Sequence, residues 1–79
     1  MSYYVYLIGG FKKFKLKTYV GYTKNLKKRL VKHNSGKGAK STRGYKWKFF
    51  YHKKYLSKQE AMSQEYFLKK NKLKRKKLR

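Results

Sequence analysis

The chain has 79 residues, with 25 Lys and Arg against two carboxylates, and a formal net charge of +23 at pH 7. It has no cysteine, which excludes disulfides and cysteine-ligated zinc, zinc fingers included. No apolar run approaches the roughly 20 residues that cross a bilayer, and the start, MSYYVYLIGG, lacks the basic region that opens a signal peptide, so an intracellular protein with no membrane partner is expected.

A small domain with this charge repels itself and calls for a polyanion. Neutralising several phosphates releases counterions, which drives binding to nucleic acid without any reading of sequence. Nine Tyr, five Phe and one Trp argue for a packed core, because disordered basic tails lack such residues. The length fits one domain with a marginal core.

In chain order, residues 3–8, YYVYLI, are β-branched and aromatic and read as a buried strand, ended by Gly9 and Gly10. Residues 11–17, FKKFKLK, read as a basic loop or hairpin excursion. Residues 18–22, TYVGY, read as a second strand, with Gly21 marking a bulge or a close approach by another group. The period then changes. Thr23 or Asn25 can cap a helix that carries Leu26, Leu30 and His33 at helical spacing and stops at Asn34, Ser35 and Gly36. Residues 36–46, GKGAKSTRGYK, read as an exposed basic loop, and residues 47–55, WKFFYHKKY, as a third strand. Residues 57–70 read as a second helix, opened by a capping box of Ser57 and Glu60. Residues 71–79, NKLKRKKLR, form a basic end, either a frayed helix or disordered. The expected fold is α+β, a small three-stranded antiparallel sheet flanked by helices in the order β-β-α-β-α.

Two tyrosine-bearing segments stand out, Tyr4-Val5-Tyr6 on the first strand and Tyr19-Val20-Gly21 on the second. They are followed by Gly21-Tyr22-Thr23, by the helical run from Lys24 to Leu30, by His33-Asn34, by the Gly36–Lys40 loop with Thr42-Arg43, and by Ser57-Lys58, Glu60-Ala61 and Glu65-Tyr66. This ordered set resembles the GIY-YIG nuclease superfamily, in particular its small stand-alone bacterial proteins and the nuclease domain of the eukaryotic junction-cutting enzyme. The resemblance covers roughly residues 3–70, so residues 1–70 are read as a GIY-YIG-like nuclease domain. Tyr4 stands where the first motif has glycine, and the chain has no match to the late Asn of some members, Asn71 being too close to Glu65.

The resemblance implies a catalytic set of Tyr6, Tyr19, Arg29, His33 and Glu65. Glu65 would hold Mg²⁺ or Mn²⁺. These ions accept one or two carboxylates, with water and substrate oxygens completing the shell, so one Glu implies weak binding without DNA. Glu60 already has a role in the helix cap. Tyr6 and Tyr19 would face each other from adjacent strands, and one would take the proton of the attacking water. The surrounding positive charge is expected to lower a tyrosine pKa. Arg29 and His33, four apart, share a helix face. Arg29 suits charge stabilisation on the phosphate, while His33 either shuttles a proton, contacts phosphate, or is simply packed. Gly21, Tyr22, Lys28, Lys37, Lys40, Thr42 and Arg43 are expected to contact the nucleic-acid backbone. His52 belongs to no motif and reads as structural.

The resulting expectation is a metal-dependent endonuclease that hydrolyses DNA phosphodiesters. Branched, flapped or nicked substrates of repair or recombination are suggested by analogy. With no accessory DNA-reading segment in view, a protein partner is the expected source of specificity. The rival reading is a non-catalytic basic module that binds DNA or RNA on the same fold.

Overall fold

The computed structural model describes residues 2–78, the side chains of 72, 75 and 78 excepted. The first aromatic run forms β1 (Tyr3–Lys12), paired antiparallel with β2 (Lys15–Thr23) on one side and β3 (Lys46–Tyr55) on the other, giving the order β2-β1-β3. Helix α1 (Leu26–Asn34) and a short 3₁₀ turn (Lys40–Thr42) lie between β2 and β3. Helices α2 (Lys58–Lys70) and α3 (Lys72–Leu78) follow. The fold is thus a three-stranded antiparallel sheet with helices, in the order β-β-α-β-α, followed by α3.

Gly9 and Gly10 do not end the first strand. Both are buried within it, because an aromatic ring on β3 takes the space that each lacks: Phe50 lies on Gly9, and Trp47 on Gly10. The basic segment 11–17 therefore belongs to the sheet. It forms the end of a hairpin, with Lys12 opposite Lys15 and a two-residue turn at Lys13-Phe14, where Lys13 takes φ 55°.

Strand alternation divides the core into two layers. Val5, Leu7 and Val20 point to one face and pack with Ala61 and Leu68 of α2. Tyr6, Ile8 and Trp47 point to the other face, against Leu26 and Leu30 of α1. The sheet register shifts between Leu7, opposite Tyr51, and Ile8, opposite Phe49. Phe50 is the extra residue, so this bulge keeps aromatic side chains on both faces.

Two caps set the helix starts. The Asn25 side chain accepts the Lys28 N–H at 3.0 Å, which makes Asn25 the cap of α1 rather than Thr23. The Ser57 hydroxyl accepts the Glu60 N–H at 3.0 Å at the start of α2. Asn71 separates α2 from α3 and accepts the Lys74 N–H at 3.0 Å. No helix among the described residues is long and apolar enough to cross a membrane.

Candidate active site

The layer between β1, β2 and α1 gathers Tyr6, Tyr19, Arg29 and His33. Tyr6 and His33 are fully buried, while Tyr19 and Arg29 are half-buried. The Tyr6 hydroxyl lies 2.8 Å from His33 Nε2 and accepts the Arg29 Nε–H at 3.2 Å. The i,i+4 spacing of Arg29 and His33 on α1 is what aims both side chains at one oxygen. Tyr19 completes the cluster, with its ring 6.4 Å from that of Tyr6 and 5.0 Å from that of His33.

The tyrosines are diagonal neighbours rather than a facing pair. Tyr6 is opposite Gly21, and Tyr19 is opposite Ile8. The group that approaches Gly21 is Tyr6, and the strand carries no bulge there. A Cβ at Gly21 would lie 2.5 Å from the Tyr6 hydroxyl oxygen and 2.7 Å from Cζ.

The charge environment also differs from expectation. Burial raises the Tyr6 pKa above its ordinary 10.0, outweighing the hydrogen bond and the positive charge of Arg29, both of which lower it. Desolvation of the phenolate therefore wins over the cation beside it. Burial first, and the Arg29 charge second, hold His33 below its ordinary 6.5, so the ring is neutral at pH 7. Arg29 is held more firmly in its charged form, chiefly by the hydrogen bond to Tyr6.

Glu65 stands on α2, which packs through Ala61 and Leu68 on the other face of the sheet. It lies on the same helical stripe as the buried Ala61 and Leu68, and its side chain keeps 19% exposure. Among the groups that bear on the charge state of Tyr6 and Arg29, Glu65 contributes least, after burial, the Tyr6–Arg29 pair and Tyr19. Lys69, one turn on, pairs with Glu65 Oε1 at 3.4 Å. No cluster of three or more His, Cys, Asp or Glu occurs among the described residues. A cation here would rely on Glu65 plus water and substrate oxygens, a donor set that fits Mg²⁺ or Mn²⁺.

The expected backbone-contacting residues separate into two groups. Lys28, Lys37, Lys40 and Arg43 are exposed. Thr42 is fully buried and touches His33 Nδ1 at 3.0 Å, so it presents nothing to a phosphate. His33 is equally shut off from direct phosphate contact. Tyr22 packs on the opposite, α2-facing side of the sheet. His52 is exposed on β3 opposite Tyr6, not packed in the core, and lines an open depression with Tyr4, Lys24, Asn25, Leu26 and Lys27.

Several supports were not foreseen. Asn34 acts as a surrogate strand partner for Trp47: it accepts the Trp47 N–H at 2.6 Å and donates to the Trp47 carbonyl at 3.1 Å. The Trp47 indole N–H donates to the Thr42 carbonyl at 2.7 Å. Gly38 leaves room for His33, since a Cβ there would lie 2.5 Å from Nδ1. The adjacency of Asn34 to the motif His33 was the one sequence signal for these contacts.

Comparison with known proteins identifies the family. A model of the GIY-YIG catalytic domain matches residues 2–79. A UPF0213 protein of Bacillus pumilus is 55% identical over 49 residues, covering 61% of this chain and 50% of the relative. One from Oceanobacillus iheyensis is 52% identical over 52 residues, covering 65% and 60%. One from Streptococcus pyogenes serotype M5 is 50% identical over 62 residues, covering 76% and 66%. The chain thus spans between half and two thirds of the length of these curated relatives. The solution NMR structure of a UPF0213 protein from Bacillus halodurans is 40% identical, with a TM-score of 0.52 over 98% of this chain and 80% of that one. With the family model spanning the chain, this protein belongs to the GIY-YIG family.

Proposed function

We propose that the chain is a metal-dependent endonuclease domain that hydrolyses DNA phosphodiesters. The carrying observation is the convergence of Tyr6, Tyr19, Arg29 and His33 on one side of the sheet.

Arg29 is the phosphate-facing cation. Tyr6 engages its Nε–H, which leaves the two terminal nitrogens for phosphate oxygens. Tyr19 is the tyrosine that meets the attacking water, because Tyr6 is fully buried and Tyr19 is not. With Tyr19 having first released its own hydroxyl proton to solvent, the water oxygen bonds to phosphorus as its proton passes to the Tyr19 phenolate oxygen, and the leaving oxygen departs with its bonding pair and takes a proton from solvent. Glu65 would hold a divalent cation, which when bound would supply Lewis-acid stabilisation of charge on the phosphate. Lys24 and Lys27, at the depression beside Tyr4 and His52, together with Lys28, Lys37, Lys40 and Arg43, hold the strand through its backbone.

The test is incubation with linear, flapped and junction DNAs in Mg²⁺, Mn²⁺ or EDTA. Cleavage that needs metal and disappears in Glu65→Gln and Arg29→Ala supports the reading. Salt-sensitive binding with no metal-dependent product favours a purely binding module, to which the net charge of +23 is equally suited.

A further inference from the structure

Thr42 is wholly buried, yet its hydroxyl oxygen has two polar neighbours besides its own backbone. It lies 2.7 Å from the Ala39 carbonyl oxygen and 3.0 Å from His33 Nδ1. A hydroxyl has one proton to give, and a carbonyl can only accept. Two oxygens 2.7 Å apart with no proton between them repel, so the Thr42 proton lies on Ala39. Toward His33, Thr42 can then only accept.

The consequence runs through the whole site. His33 Nδ1 must carry the ring proton, since a neutral imidazole has one N–H. Nε2 is left as a bare acceptor, 2.8 Å from the Tyr6 hydroxyl, which donates to it. With its own proton turned inward, the Tyr6 oxygen presents lone pairs to the Arg29 Nε–H at 3.2 Å. Every link has one direction: Arg29 to Tyr6, Tyr6 to His33, His33 to Thr42, Thr42 to Ala39. The opposite tautomer would place a second donor against the Tyr6 oxygen and send the buried Tyr6 O–H in search of another acceptor.

The surroundings hold this order. Gly38 covers the Nδ1 edge of His33, and the Trp47 indole grips the Thr42 carbonyl. The charged and titratable groups that face the ring are Arg29 from α1, Tyr6 from β1 and Tyr19 from β2.

We propose that Thr42 is a positioning residue: it fixes His33 as the Nδ1–H tautomer and, through Tyr6, aims the guanidinium of Arg29 at the scissile phosphate. The role of Arg29 rests on the nuclease reading, whereas the tautomer does not.

The experiment is therefore NMR of the His33 ring nitrogens in the metal-free chain at neutral pH, alongside cleavage assays. The wild type is expected to show Nδ1 protonated and Nε2 bare. Thr42→Val should move the ring toward the Nε2–H tautomer and lower kcat by roughly 10- to 100-fold, with little change in KM for DNA. Thr42→Ser, which keeps the hydroxyl, should restore both. If Thr42→Val does not fold, Thr42→Ala is read in the same way. A wild-type ring protonated at Nε2, or a hydroxyl-free variant that keeps Nδ1–H, overturns the tautomer assignment. A tautomer shift with unchanged kcat overturns the aiming of Arg29. Absence of cleavage in every protein, wild type included, overturns the nuclease reading and with it the aiming, and leaves the tautomer to be decided by NMR alone.

Discussion

Gly21 and Tyr6 are cross-strand partners, and the side chain that Gly21 lacks is the space occupied by the Tyr6 hydroxyl. The second motif thus serves the first: its glycine lets the tyrosine of the other strand lie flat across β2 and reach α1. Gly21→Ala is expected to push Tyr6 off His33 and Arg29. The overpacking should cost about 1–3 kcal/mol, read as a lower urea midpoint, together with loss of cleavage. An alanine variant with wild-type stability and activity would show that the Tyr6 position is not critical.

Asn34 closes the outer edge of β3 at Trp47. Asn34→Ala removes both hydrogen bonds to the Trp47 backbone and leaves a part-buried N–H without that partner. The expected loss is about 1–3 kcal/mol. Amide exchange should report it locally, with faster exchange at Trp47 than at Tyr6 or Leu7.

Lys69 pairs with one oxygen of the carboxylate proposed to hold a metal. The pair is half-exposed on the lysine side, so it contributes little to stability. Lys69→Ala should leave the melting temperature nearly unchanged and lower the Mg²⁺ concentration for half-maximal cleavage by up to about fivefold. A higher metal requirement in this variant would argue against Glu65 as the metal ligand.

The buried His33 makes the fold sensitive to acid. Its pKa in the folded chain lies below the ordinary 6.5. Above pH 6.5 the ring is neutral in both states and adds no pH dependence. Below it the unfolded chain takes up a proton that the folded ring still refuses, so stability falls as pH falls. Urea midpoints at pH 7.5, 6 and 5 should decline in the wild type and flatten in His33→Gln. An equal decline in both would assign the acid sensitivity to another group.

Much of the cluster around Tyr6 was readable along the chain. Arg29 and His33 are four apart, so any helix through them places both on one face. Tyr6 and Tyr19 lie on strands, and alternation allows them to share a side of the sheet. Glu65 lies between Ala61 and Leu68 at helical spacing, so burying that stripe brings the carboxylate toward the sheet. The hairpin end was harder to read, because Gly9 and Gly10 look like a stop when the rings that cover them stand some forty residues later in β3.

Composition and local order determined the excess of positive charge, the kinds of elements and their sequence, because charge sums and side-chain periodicity are properties of the chain itself. The direction in which each polar group points was decided only by tertiary structure. Thr42 sits in a Lys- and Gly-rich loop that reads as a solvated grip on phosphate, yet the fold turns it inward to His33. Tyr6 lies in a chain of net charge +23 that reads as a tyrosine of lowered pKa, yet burial raises it. Both outcomes have the same physical reason. Desolvation and hydrogen-bond pairing depend on what covers a group in three dimensions, and the covering residues, Trp47, Gly38 and Gly21, are distant in sequence or carry too little side chain to announce the contact.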